Sequence, residues 1–305
     1  MKQKLFSGCG TAMFTPFKDG KVDLATFAAN VDRQVKAGMD FLVPLGTTGE
    51  TPTLSDEEKR AVLETARSHA GGRKIVVGVG TNSVPGTVAN IRLLPEADAF
   101  LVVVPYYNKP PQRGMYQYFK TIASETDKPI ILYNVPGRTG SNIEAETTLR
   151  LAHDVPNIVG IKEASGKIDQ ILAILKDRPE GFAVLSGNDD DTLTMMKAGA
   201  DGVISVASNV APVEMVQFVH ATLKGQELGA ANGQTAQEAW QTAEALNDRL
   251  SELFRVLFIE PNPIPGKAAM AQLGLMENSL RLPLVPATAP TEAIMKQTLD
   301  ILWKK

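Results

Sequence analysis

Cysteine is nearly absent. Cys9 stands alone among 305 residues, which excludes an intrachain disulfide framework and any metal cluster built on thiolates. Histidine is almost as scarce: His69, His153 and His220 fall singly on helix-like stretches, with none of the spacings that metal sites use. Excess charge of one sign is also missing. The 31 Lys and Arg against 34 Asp and Glu leave a net charge of −3, without the basic footprint of a nucleic-acid binder. No apolar run approaches the roughly 18 residues of a membrane span. Lys2 and Lys4 precede Leu5-Phe6-Ser7-Gly8-Cys9 in a loose imitation of a lipoprotein cleavage site, but the apolar stretch of about 7–15 residues that a signal peptide needs is not there. A cytoplasmic protein, bound to neither membrane nor nucleic acid, is the expectation. Cofactor motifs are incomplete as well. After Gly78-Val79-Gly80 the third glycine of a dinucleotide fingerprint is replaced by Ser83, Gly160 through Lys167 is one residue too long for a P-loop, and no Gly-x-Ser-x-Gly elbow occurs. No metal and no cofactor are expected.

What is present is a chain 44% apolar, enough for a sizeable core, in which short β-rich runs alternate with stretches of helical periodicity. The runs are Thr11–Phe14, Phe41–Leu45, Ile75–Val79, Phe100–Val104, Ile130–Tyr133, Ile158–Lys162, Ala183–Ser186 and Val203–Val206. Between the first two, Leu24, Phe27, Val31 and Val35 repeat at helical spacing within Asp23–Ala37, and Ser55 with Glu58 forms a capping box that opens another helix. Continuously apolar strands imply a parallel sheet covered on both faces. Eight units within about 210 residues, with no break to mark a topological switch, favour a closed (β/α)₈ TIM barrel over an open doubly wound sheet. After Val206 the pattern is helical only: Pro212–Lys224, Gln226–Phe258, a turn at Glu260–Pro265, then Gly266–Leu273 and Pro290–Trp303. The expected organisation is an α/β barrel over residues 1–225 and a C-terminal helical extension over 226–305.

In such a barrel the chemistry lies at the C-terminal ends of the strands. The second run ends in Gly46-Thr47-Thr48-Gly49-Glu50, the fourth in Pro105-Tyr106-Tyr107-Asn108-Lys109-Pro110, the fifth in Tyr133 through Gly140, and the sixth in Gly160-Ile161-Lys162-Glu163. Three of only five tyrosines sit at such ends. Alternation places Lys162 on the face of Gly160, which leaves space beside its stem. A lysine in the mouth of an apolar barrel is desolvated, and its neutral amine can attack a carbonyl; a lysine that merely ends a strand would snorkel to solvent. Tyr133 can move protons beside it. Thr47 or Thr48 could relay a proton or hold a carboxylate, and Arg138 can grip a carboxylate with both guanidinium arms. Asp189-Asp190-Asp191 reads as acids at a helix N-terminus.

These segments, with Leu185-Ser186-Gly187-Asn188, Gly202–Val206, Glu260–Pro265 and Leu280-Arg281-Leu282-Pro283, resemble the dihydrodipicolinate synthase / N-acetylneuraminate lyase family of class I aldolases across essentially the whole chain. The resemblance implies condensation of pyruvate with L-aspartate-4-semialdehyde. It implies that Lys162 forms the Schiff base, that Tyr133 is its proton donor and acceptor, and that Thr47 and Tyr107 complete a relay, with Tyr107 delivered by a neighbouring subunit. Thr48 and backbone groups at Gly187 and Ile204 would hold pyruvate, and Arg138 the aldehyde's carboxylate. A homo-oligomer, a tetramer built from dimers, follows. Where members inhibited by L-lysine carry an acid, this chain has Gly86, with Asp56 and Lys59 at the positions of a histidine, so weak or absent inhibition is implied. The rival readings are a sugar-acid lyase of the same family and a catalytically silent binding barrel.

Overall fold

The computed structural model describes residues 5–229 and 233–303; Lys2 and Lys4 lie outside them. All eight apolar runs are strands. β1 (Gly8–Ala12) is followed by a small hairpin, β2 (Phe17–Lys18) and β3 (Lys21–Val22), and then by β4 (Phe41–Val43), β5 (Lys74–Gly78), β6 (Ala99–Val103), β7 (Ile130–Asn134), β8 (Ile158–Glu163), β9 (Ala183–Ser186) and β10 (Gly202–Ser205). Apart from the hairpin the strands pair in parallel in chain order, and β10 closes back on β1. The sheet is therefore a closed barrel and not a doubly wound sheet. Its interior is filled by side chains such as Phe41, Val76, Ile131 and Leu185, each buried.

The first strand begins three residues earlier than its apolar run. Gly8 pairs with Gly202, and a Cβ on Gly202 would stand 1.9 Å from the Gly8 carbonyl oxygen. Two glycines thus let the strands approach where no apolar side chain signals a strand. Met13 and Phe14, counted in the run, are buried beyond the strand's end.

The helices follow their local signals. Asp23 caps α1 (Leu24–Lys36) by accepting from the Thr26 N–H at 3.0 Å, and Phe27 and Val31 are the face buried against the sheet. At α2 (Asp56–His69) both halves of the capping box form, Ser55 N–H to Glu58 Oε2 at 2.9 Å and Glu58 N–H to Ser55 Oγ at 3.2 Å; such a cap is worth about 1 kcal/mol. The barrel's outer layer continues with α3 (Val84–Leu93), α4 (Gln112–Ala123), the short α5 (Pro136–Thr139), α6 (Ala145–Asp154), α7 (Ile168–Asp177), α8 (Thr192–Lys197) and α9 (Pro212–Leu228). The expected helix Gln226–Phe258 is divided differently: α9 continues to Leu228 and α10 spans Gly233–Val256, while residues 230–232 lie outside the described ones. α11 (Ile264–Gln272) and α12 (Ala289–Trp303) follow. Between α10 and α11 the chain crosses the barrel mouth, bringing Phe258 and Asn262 to the wall of a cavity that also contains Lys162. Among the described residues no helix is long and apolar enough to cross a membrane.

Candidate active site

Tyr133 and Lys162 are register partners on adjacent strands, β7 and β8. The Lys162 ammonium lies 4.5 Å from the centre of the Tyr133 ring, and the residues are 6% and 8% exposed. Burial lowers the Lys162 pKa to about 8; Asp189 pulls it back up and Arg138 pushes it further down. At pH 7 a pKa of about 8 in place of 10.5 raises the neutral fraction roughly 300-fold, from ~0.03% to ~9%. Burial pushes the Tyr133 phenol up to about 12, against the opposing effects of Arg138 and of a hydrogen bond with the Thr47 side chain. The phenol is therefore protonated at neutral pH and can donate.

The next residue on each strand locks this pair from the helix side of the sheet. Glu163, buried at 1% exposure, accepts from Asn134 Nδ2, the Ser165 N–H and Gln170 Nε2, each at 3.0 Å. Asn134 accepts in turn from the Ile143 N–H at 3.2 Å. A buried polar network with its partners in place rigidifies what it joins, here the ends of β7 and β8.

The cavity at Lys162 measures about 50 Å³ and is lined by Thr47, Thr48, Tyr133, Arg138, Gly187 and Asn188, among others. At roughly 10–15 Å³ per water-sized probe, its size is that of a small acid. Tyr133, Arg138 and Thr47 also border a wider cleft of about 570 Å³ outside it. The two threonines differ in setting: Thr47 is exposed to the cavity beside Tyr133, while Thr48 is buried and accepts from Asn262 Nδ2 at 2.9 Å. Arg138 is held at the rim through a 3.3 Å bond to the Asn262 carbonyl oxygen.

Two expectations need correction. Gly187, not Gly160, makes room for the lysine stem: a Cβ on Gly187 would lie 3.0 Å from Lys162 Cε, whereas one on Gly160 would meet the Ala183 carbonyl oxygen at 2.7 Å. The Gly187 N–H is donated to the Glu163 carbonyl oxygen at 2.8 Å, so the backbone group it can offer a ligand is its carbonyl oxygen. Ile204 sits inside β10 opposite Gly10, and Val206 lines the cavity. Asp189 is not a helix-terminal acid. It is 2% exposed and accepts from the Val206 and Ala207 N–H groups at 3.1 and 2.9 Å, a buried carboxylate whose charge acts on Lys162. Only Asp191 stands at the α8 cap position.

Tyr107 does not reach this chain's own cavity. It is 88% exposed and holds φ +72°, a left-handed conformation uncommon for a bulky residue. Sequence reading also missed Asn262 and a second buried lysine, Lys267, whose pKa is likewise lowered to about 8 by burial. Lys267 is fully buried against Glu50 and lines neither opening. A depressed pKa thus does not by itself select the nucleophile; access does. Among the described residues no three His, Cys, Asp or Glu side chains gather as a metal site would require.

The chain matches the model of the dihydrodipicolinate synthetase family over residues 5–302. It is 45% identical over 301 residues to the 4-hydroxy-tetrahydrodipicolinate synthase of Thermotoga neapolitana, covering 97% of this chain and 98% of that one. The crystal structure of dihydrodipicolinate synthase from Aquifex aeolicus matches with a TM-score of 0.90 at 42% identity, over 97% of both chains. That of the chloride-inhibited enzyme of Acinetobacter baumannii, complexed with pyruvate, matches with a TM-score of 0.89 at 37% identity, over 97% of this chain and 98% of that one. With family model, relatives and barrel in agreement over nearly the whole length, the chain belongs to the dihydrodipicolinate synthetase family.

Proposed function

We propose that Lys162 forms an imine with pyruvate and that the derived enamine adds to L-aspartate-4-semialdehyde, giving 4-hydroxy-tetrahydrodipicolinate at the entry to diaminopimelate and lysine biosynthesis. The observation that carries this reading is a buried lysine of pKa about 8 beside a protonated tyrosine in a cavity sized for a small acid. The neutral amine attacks the keto carbon, and Tyr133 protonates the departing hydroxyl so that water leaves. The Tyr133 phenolate takes a C3 proton to give the enamine, which bonds to the aldehyde carbon while Tyr133 returns that proton to the new alkoxide. The substrate's own amine then closes on the former keto carbon and releases Lys162. Thr47 connects Tyr133 to the relay, Thr48 orients the pyruvate carboxylate, and Arg138 at the rim receives the carboxylate of the second substrate. An aldehyde panel tests this. Pyruvate with aspartate semialdehyde should turn over with at least about 100-fold higher kcat/KM than pyruvate with polyhydroxylated aldehydes. The reverse order would assign a sugar-acid lyase, and an adduct without turnover on any aldehyde a binding barrel.

Tyr107 enters from a neighbouring subunit in this reading, so the working unit is at least a dimer and, by family resemblance, a tetramer built from dimers. Its exposure and its strained backbone suit a residue whose partner lies on another chain. Tyr107→Phe chains mixed with Lys162→Ala chains, each inactive alone, should recover part of the activity, because a hybrid dimer contains one intact site. No recovery after demonstrated subunit exchange would mean that each chain supplies its own tyrosine.

Weak or absent inhibition by L-lysine is the expected regulatory behaviour. Gly86, Lys59 and Tyr106 border the 570 Å³ cleft, and Gly86 offers no charge for an ammonium. A hydrogen bond to a charged group is worth about 1.5–3 kcal/mol, roughly a 10- to 150-fold loss of affinity. Glu50 does not supply the charge, being buried against Lys267, and Asp56 is paired with Lys59 at 3.0 Å. Submillimolar inhibition in a steady-state assay would contradict this.

A further inference from the structure

The turn that carries Thr47 and Thr48 is bounded by two strained residues. Leu45 at φ +58° and Glu50 at φ +52° are side-chain-bearing residues in left-handed backbone, a state that persists only where its surroundings over-determine it. Part of the restraint is local: Thr51 Oγ1 donates to the Gly46 carbonyl oxygen at 2.9 Å and Thr15 Oγ1 to that of Gly49 at 2.8 Å. The rest comes from the far end of the chain. Lys267, on α11, is fully buried, with its ammonium against Glu50 Oε1. It also donates to the Ser279 carbonyl oxygen at 2.9 Å and lies 4.1 Å from the centre of the Phe17 ring. The Arg281 N–H donates to Glu50 Oε2 at 3.1 Å, while its guanidinium reaches Glu58 on α2 at 2.7 Å.

Neither Glu50 nor Lys267 lines the cavity of Lys162. A buried ion pair gives no general advantage in stability over a well-packed apolar pair of the same volume. What it supplies here is anchorage: one carboxylate oxygen is ion-paired with Lys267 and the other accepts from the Arg281 N–H, at the residue where the threonine turn ends. We propose that the Glu50–Lys267 pair, with Arg281, is a positioning clasp by which the C-terminal extension fixes Thr47 and Thr48 against Tyr133 and Lys162. The inference rests on the imine reading given above, and the clasp residues touch no reacting atom.

The test is the paired replacement Glu50→Gln with Lys267→Met, which removes both charges at nearly constant volume. Chains that take a borohydride-reducible pyruvate adduct are counted, and kcat is expressed per adduct-competent site, so misfolded chains do not enter. The clasp predicts a melting temperature near the parent's and a kcat per site roughly 10- to 100-fold lower, the loss expected when reacting groups move by about 1 Å. Lys267→Arg, which keeps the charge, should retain more kcat per site than Lys267→Met. A paired variant within about twofold of the parent per site would overturn the clasp and leave the pair a packing element. If the paired variant does not fold, Glu50→Asp decides by the same normalised kcat, since it keeps both charges buried together and withdraws the carboxylate by one methylene. Absence of an adduct in the parent protein would instead refute the imine reading itself.

Discussion

Lys162→Ala is expected to abolish the pyruvate adduct and to lower kcat at least about 10³-fold, leaving only the residual rate that the remaining site can support. Among the described residues no other lysine lines the Lys162 cavity. Lys267 shares the depressed pKa but is sealed against Glu50, and neither Lys109 nor Lys167 lines the cavity at Lys162. Removing the nucleophile therefore removes the covalent route altogether. The parent protein should show the matching pH dependence. Because the lysine pKa is lowered to about 8 and the neutral amine is the attacking form, trapping with saturating pyruvate should accelerate about tenfold per pH unit below that value and level off above it. Borohydride trapping followed between pH 6 and pH 9 checks this, and a pH-independent rate across that range would contradict a titrating amine.

Tyr133→Phe should lower kcat about 10²- to 10⁴-fold, the usual worth of a positioned general acid–base group, while the pyruvate KM changes little. The ring that packs against Lys162 is preserved, and only the hydroxyl that meets Thr47 is lost, so the melting temperature should stay near the parent's. Imine formation should slow less than overall turnover, because the phenol serves several proton transfers and the amine attack only indirectly. Since burial raises the phenol to about 12, Tyr133 stays protonated through neutral pH and should contribute no alkaline limb to the rate profile below about pH 10. Stopped-flow trapping beside steady-state kinetics separates the steps. A variant with near-parental kcat would remove Tyr133 from the mechanism.

The barrel was legible because each strand is a short, nearly unbroken apolar run and the first helices carry capping side chains, Asp23 and Ser55. Period-2 alternation placed Lys162 on the face of Gly160, and the closed sheet turns that face inward and makes Lys162 the register partner of Tyr133. What escaped the sequence is what depends on distant segments. Glu50 and Lys267, or Thr48 and Asn262, meet only after the chain has passed around the whole barrel, and no local pattern marks such a pair. Asp189 misled because acids before a helix usually serve its N-terminus; its carboxylate instead turns to the N–H groups after β10. The identity of the glycine beside Lys162 likewise required coordinates, because space is a property of neighbours and not of the glycine itself.

The central claim is that Lys162 carries the imine. Incubation of the intact protein with pyruvate and borohydride, followed by mass spectrometry of the whole chain and of its peptides, tests it most directly. The account predicts a single reduced pyruvyl adduct per chain, carried by the peptide that contains Lys162 and absent from Lys162→Ala. An adduct on Lys109, Lys167 or Lys267, or no adduct at all under saturating pyruvate, would contradict it.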